Sequence, residues 1–198
     1  MSANLILTAG LPASGKSSFA SYASKQLGLP VIEKDRIKEY LFDTVGFRTH
    51  DEKTALDIAA VETMLYSAAC ILDRGGSVIL DSNFENRNIP SLEKLVSKHP
   101  CNVITVRFSG DISIIFNRFL ERDRDPARHP GHVNVSSYPD LGDGRNIALR
   151  KTFESFRDDF KSRGTMDFRM GVLIEADATD FSKLSYDDIL AKVRAAMV

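Results

Sequence analysis

The stretch TAGLPASGKSSFA, residues 8–20, holds Gly10, four further residues, and then Gly15, Lys16 and Ser17. Glycines at that spacing let the backbone turn tightly and point successive N–H groups inward. A lysine directly after the second glycine supplies a mobile cation for the β- and γ-phosphates of a nucleotide, and the hydroxyl that follows suits Mg²⁺. The flanks agree with this. Residues 4–8, NLILT, read as a short buried strand, and residues 16–27 as a helix stopped by Gly28 and Pro30. A helix starting at such a turn directs its positive end at the same place. The spacing predicts a cradle made of Gly10, Leu11, Pro12, Ala13, Ser14, Gly15, Lys16, Ser17 and Ser18, with ATP and Mg²⁺ as its ligands.

Outward from the cradle, strands alternate with helices. VIEKD, residues 31–35, reads as a second strand running into a helix over 36–42. Residues 51–74 form the clearest helix, with Ile58, Val61, Leu65, Ala68 and Leu72 on one face and Gly75-Gly76 as its stop. SVILD (77–81) is a third strand, 82–88 a turn-rich loop, and 89–99 a helix with Pro90 in its first turn. NVITVRF (102–108) is a fourth strand, after which Asp111 caps a helix running to about residue 124. Residues 146–160 are helical, GVLIEA (171–176) is a fifth strand, and 185–198 close the chain as a helix. This alternation predicts an α/β fold with a parallel sheet covered on both faces, built as a single domain. Residues 125–145 break the pattern with three prolines and three glycines. A loop longer than about 12–15 residues is usually functional or disordered, and here it reads as a lid.

The 198 residues carry a net charge of −1 and are 43% hydrophobic and 27% charged. With a pI near 6.4 there is no bulk pull toward nucleic acid or anionic membrane. Cys70 and Cys101 have no metal-spaced neighbours and read as buried thiols of a reducing compartment. No leader pattern and no apolar run of membrane-spanning length is evident, so the expectation is a cytoplasmic protein without a membrane partner.

A guanine-reading Asn-Lys-x-Asp loop and a transporter-type Leu-Ser-Gly-Gly signature are both absent, and the chain is short for a helicase core. A small phosphotransferase remains, and it needs a base, a metal-placing group and cations over the transferring phosphoryl group. Asp35, at the end of the second strand, is the candidate base. Asp81, ending the third strand, resembles a Walker B aspartate and joins Ser17 as the candidate metal pair. Arg118 and Arg122 share a helix face at the lid hinge and suit a phosphate clamp. A closing lid would also keep water from the phosphoryl group. Arg36, Lys38, Asn83, Arg87 and Arg128 are candidate acceptor contacts. His129 and His132, separated by Pro130 and Gly131, read as a turn rather than a metal site.

Taken in order, GLPASGKSSFA, EKDRIKEYLFD, VILDSNF, RFLERDRDPARHPGHV and VLIEADATD resemble the small P-loop kinases of the AAA_33 type. That group is similar to the kinase domain of polynucleotide kinase, to chloramphenicol phosphotransferase and to the zeta toxins. The resemblance implies an adenylate-kinase-like α/β/α core with strand order 2-3-1-4-5 and transfer of a phosphoryl group from ATP to a hydroxyl. It implies that Asp35 is the base, that Arg118 and Arg122 are lid arginines, and that Asp177 and Thr179 lie near the adenine. Relatives often carry Ser-Asp-x-x-Arg after the second strand. Here Lys38 stands in place of that arginine. A small-molecule hydroxyl acceptor is favoured over a polynucleotide 5′-hydroxyl. A slow ATP-hydrolysing regulator and a toxin-like kinase acting on a sugar nucleotide are the other readings.

Overall fold

The computed structural model describes residues 3–133, 137–139 and 151–197. Five parallel strands form one sheet in the order β2-β3-β1-β4-β5. They are β1 (Asn4–Gly10), β2 (Val31–Glu33), β3 (Val78–Asp81), β4 (Asn102–Ser109) and β5 (Val172–Asp177). The helices are α1 (Lys16–Leu27), α2 (Lys34–Thr44), α3 (His50–Leu72), α4 (Ile89–Lys98), α5 (Ile112–Arg122), α6 (Phe153–Ser162) and α7 (Tyr186–Ala196).

The central strand β1 is buried along its whole length, and its side chains alternate between two cores. Leu5, Leu7 and Ala9 pack with Met64, Leu65 and Leu72 of α3 and Leu92 of α4. Ile6 packs on the other face with Phe19 and Ala23 of α1 and Ile189, Leu190 and Val193 of α7. A third cluster joins Leu11 to Ile115 and Phe116 of α5 and to Phe156 and Phe160 of α6. The result is a three-layer sandwich whose carboxyl strand ends gather Gly10, Glu33, Asp81 and Asp177 along one rim.

Several sequence expectations need correction. The second strand stops at Glu33, and Asp35 lies in the first turn of α2. A carboxylate is favoured there by the helix dipole. In α3, Ile58 is exposed and Asp57, one residue earlier, takes the inward position. Ion pairs to α2 outweigh the apolar preference at this point. By length and composition α3 would also qualify to cross a membrane, contrary to the reading of the apolar runs. Here it lies on the sheet with Ala60, Val61, Met64, Leu65, Ala68 and Leu72 buried. Cys70 and Cys101 are half-buried free thiols rather than fully buried ones. α5 ends at Arg122, and α6 begins at Phe153 behind a Thr152 cap. The expected helical residues 146–150, and lid residues 134–136 and 140–145, lie outside the described residues.

Candidate active site

The cradle forms where β1 hands over to α1. Gly10 and Gly15 have φ of 125° and 87°, and Ala13 joins them at 63°. A Cβ on Gly10 would stand 2.1 Å from the Phe108 carbonyl oxygen, so only glycine lets β1 pass β4 at this point. The Ser14 hydroxyl donates to the Leu11 carbonyl at 2.7 Å and closes the turn. No side chain caps α1. Its first amides therefore point into the pocket lined by Ala13, Gly15, Lys16, Ser17, Ser18, Arg118, Arg122 and Phe181.

Ser17 donates to Asp81 Oδ2 at 2.6 Å, and Thr8 donates to Asp81 Oδ1 at 2.5 Å. Asp81 is thus held on both oxygens at the strand end, with a hydroxyl of α1 beside it. Two hard oxygen donors at the head of a phosphate cradle fit Mg²⁺. Lys16 is buried, and burial lowers its pKa despite the nearby Asp81 and Asp35 carboxylates. Its Nζ reaches the Leu11 carbonyl at 3.4 Å.

The far end of the pocket is shaped by the segment after β5. Asp177 accepts from the Thr179 amide at 2.9 Å, and the Thr179 hydroxyl accepts from the Asp111 amide at 2.9 Å. Arg118 donates to the Ala178 and Thr179 carbonyls and stacks 3.7 Å from the Phe181 ring centre. The side chains of Asp177 and Thr179 therefore hold the loop, while Phe181 faces the pocket. Arg122 is half-buried; its partial removal from water, and next the Arg128 charge, push its pKa down to about 10, and its Nε has no hydrogen-bond partner among the described residues.

In the first turn of α2, Asp35 keeps 58% of its side-chain exposure. Its enclosure by the cleft walls works to raise its pKa. Lys34, His132, Lys16 and Lys38 more than reverse this and hold it below the usual carboxylate range. Among the described residues no donor is hydrogen-bonded to its carboxylate, the Lys34 ammonium standing off at 3.5 Å.

Behind Asp35 lies Asp57, which sequence reasoning missed. It accepts from Lys34 at 3.1 Å and Lys38 at 2.7 Å on one oxygen, and from Arg87 at 2.9 Å on the other. Arg87 also pairs with Glu85 at 2.8 Å. Of the candidate acceptor contacts, Lys38 and Arg87 are therefore drawn together by Asp57. Arg128 pairs with Asp123 at 3.0 Å and lies near Arg122, His132 and Lys53. Asn83 is half-buried in the loop after β3. Arg36 is 70% exposed, pairs with Glu39 at 3.0 Å, and sits away from this group.

The expected histidine turn is present as a 3-10 turn over Pro130–His132, seated on α2. His129 Nε2 lies 3.0 Å from Asp43, His132 Nε2 lies 3.1 Å from Glu39, and the Tyr138 hydroxyl donates to Asp43 at 2.7 Å. A Cβ on Gly131 would stand 2.3 Å from the Phe42 ring, so the backbone rests directly on that ring. Burial pushes the His132 pKa down to about 4, with Arg128 and Lys38 adding to the effect and Asp35 opposing it. Between about pH 6.5 and 4 the unfolded chain takes up this proton and the folded one does not. His132 therefore makes stability fall as pH drops through that window. In urea titrations at pH 7, 6, 5 and 4, His132→Gln should lose less stability on acidification than the parent protein. A parallel decline in both would remove His132 as a cause.

The AAA_33 family, described as an AAA domain, matches residues 5–135. The chain belongs to this family. Among solved structures it is similar to a protein of Chloroflexus aurantiacus provisionally assigned as a kinase, with TM-score 0.79, 25% identity and 100% of both chains covered. It also resembles a sugar kinase from a Janibacter species, with TM-score 0.56, 13% identity, and 100% of this chain and 99% of that one covered. A gluconokinase of Sinorhizobium meliloti gives TM-score 0.53 and 14% identity, covering 98% of this chain and 90% of that one. The fold is that of the P-loop kinases in strand order and in the placing of the cradle. A search of curated proteins finds no match.

Proposed function

We propose that this AAA_33 chain is an ATP-dependent phosphotransferase that moves the γ-phosphoryl group of ATP to a hydroxyl of a small molecule. The observation that carries the reading is Asp35: a carboxylate that is 58% exposed and accepts no hydrogen bond among the described residues, with Lys34 3.5 Å away and Lys16, Lys38 and His132 around it.

In this reading the amides of the cradle and Lys16 hold the β- and γ-phosphates, and Arg118 with Phe181 forms the wall at the nucleoside end. Ser17 and Asp81 would hold Mg²⁺, which supplies charge neutralisation on the phosphates. Asp35 accepts a hydrogen bond from the acceptor hydroxyl and aims its oxygen along the line of the bond to be broken. As the new O–P bond forms, the bond from Pγ to the ADP oxygen breaks, and the hydroxyl proton passes to Asp35 and then to solvent. A carboxylate held at low pKa is a weak base, so its first contribution is orientation, with proton transfer late in the step. Arg122 faces the same pocket and offsets charge on the equatorial oxygens. No nucleic acid or membrane enters this reading.

The test is to incubate the protein with Mg²⁺ and γ-labelled ATP, with and without pooled sugars, nucleosides, aminoglycosides and 5′-hydroxyl oligonucleotides, and to follow the label. Transfer onto a small hydroxyl compound is the expected result. Label on the oligonucleotides would reassign the acceptor, and label released only as free phosphate at one rate throughout would point to a hydrolysing regulator. In the same assay Arg122→Ala should slow transfer about 10²-fold or more; a change within about twofold would take Arg122 out of the reaction.

A further inference from the structure

Four groups surround the Asp35 carboxylate, and each is tied to another partner. Lys16 Nζ reaches the Leu11 carbonyl at 3.4 Å. His132 Nε2 lies 3.1 Å from Glu39 Oε1. Lys34 and Lys38 both donate to the same oxygen of Asp57, at 3.1 and 2.7 Å. Lys34 is the informative one, because its ammonium also lies 3.5 Å from Asp35. It has three protons and two carboxylates within reach, and it spends its hydrogen bond on the buried one. At 3.5 Å it contributes charge to Asp35 without filling a lone pair. Asp57 is itself buried at the inward face of α3, and Arg87 fixes its second oxygen at 2.9 Å. Its carboxylate therefore cannot swing to follow the lysines.

We propose that Asp57 is a positioning residue for the base: by drawing Lys34 and Lys38 onto itself it keeps the Asp35 carboxylate free of donors and open to the acceptor hydroxyl. The inference rests on the reading of Asp35 as the base. Without the negative charge at position 57, Asp35 at 3.5 Å is the nearer of the two carboxylates left to Lys34, Glu85 being the other, and a shift of Lys34 onto Asp35 fills the oxygen that the acceptor needs. The other charged groups that face Asp35 are Lys16 from the cradle, Arg122 from α5, His132 from the turn, Lys38 from α2 and Glu33 from the end of β2. Of these only Lys38 is bonded to position 57, at 2.7 Å, and the amide oxygen of an asparagine there can still accept from it. Lys53 and Arg87 are the further cations facing Asp57 itself.

The experiment compares Asp57→Asn, Lys34→Met, the two combined, and Asp35→Asn, using label leaving γ-labelled Mg·ATP for the pooled acceptors or water, as a function of pH. ATP binding and thermal unfolding are measured on each protein to confirm that it is folded at the assay temperature. Asp57→Asn should bind ATP as the parent does and lose roughly tenfold or more in turnover at every pH. Lys34→Met should keep near-parental turnover at neutral pH. Its acid limb should move to higher pH, because a cation that holds the Asp35 pKa down is gone. The combined variant should regain turnover to within about threefold of the parent, since no ammonium remains to cover Asp35 and the amide oxygen left at position 57 still accepts from Lys38. Loss of packing alone would lower the unfolding temperature without this recovery or the shifted acid limb. Parental turnover in folded Asp57→Asn overturns the proposal. A combined variant no faster than Asp57→Asn overturns it as well. Parental turnover in Asp35→Asn would instead overturn the base reading itself, and so the two failures are told apart.

Discussion

Asp35→Asn is expected to lower phosphoryl transfer by about 10²–10⁴-fold while the ATP dissociation constant stays within about twofold. The substitution keeps the shape of the side chain and removes both its charge and its ability to take a proton. Its amide nitrogen would offer a donor where the acceptor hydroxyl needs an acceptor. Asp35 is not among the residues that line the cradle pocket and makes no hydrogen bond to a cradle group, which is why nucleotide binding should survive. The effect on stability has a definite sign. A carboxylate whose pKa is held down by Lys34, His132, Lys16 and Lys38 stabilises the fold above the ordinary aspartate range and loses that contribution as pH falls below it. The variant should therefore unfold at a somewhat lower temperature at pH 7. Single-turnover kinetics separates binding from transfer. Equal losses in both would assign Asp35 to capping α2 and remove it from the chemistry.

Lys16→Met should produce the opposite pairing of effects. Turnover is expected to fall by about 10²–10³-fold, because the only buried ammonium lining the cradle pocket among the described residues is lost. Stability should hold or rise. Burial lowers the Lys16 pKa, so the folded chain holds this proton less tightly than the unfolded one does. At neutral pH that difference opposes folding, and methionine removes it at nearly the same length. A calorimetric scan beside a transfer assay reads both quantities. A large drop in unfolding temperature would mean that Lys16 supports the turn through its contact with the Leu11 carbonyl, and the loss of turnover would then say little about phosphate.

Parts of this site were legible in the chain because their determinants are local. The cradle is set by the spacing of Gly10, Gly15, Lys16 and Ser17 between a strand and a helix, and each of those steps lies within a few residues. Asp81 was legible because an apolar strand that ends in a carboxylate beside the cradle has few other uses. The contacts of Asp57 were not legible. Lys34 and Lys38 lie 23 and 19 positions before it and Arg87 lies 30 after it. An acidic residue beside Ile58 reads as the solvent side of an amphipathic helix, and only the docking of α2 on α3 reverses that. Arg36 and Lys38 look alike as basic residues of one segment, yet a turn of about 200° around the helix sends one to solvent and the other to Asp57. Phe181 was missed for a different reason. A lone aromatic in a polar loop carries no spacing signal, and its place comes from the Arg118 guanidinium stacked on it.

Helix α2 also acts as a ruler. Asp35 opens the helix as the proposed base, Glu39 receives His132, and Asp43 receives His129 and Tyr138, at intervals of four residues. Inserting or deleting one residue between these marks would rotate everything beyond it by about 100°, and the carboxylate and the histidine turn could no longer face the same space. The segment should accept many substitutions and almost no change of length. Under the proposed function, substitutions that change the acceptor would then belong in the loops around α2, while the helix itself keeps its count.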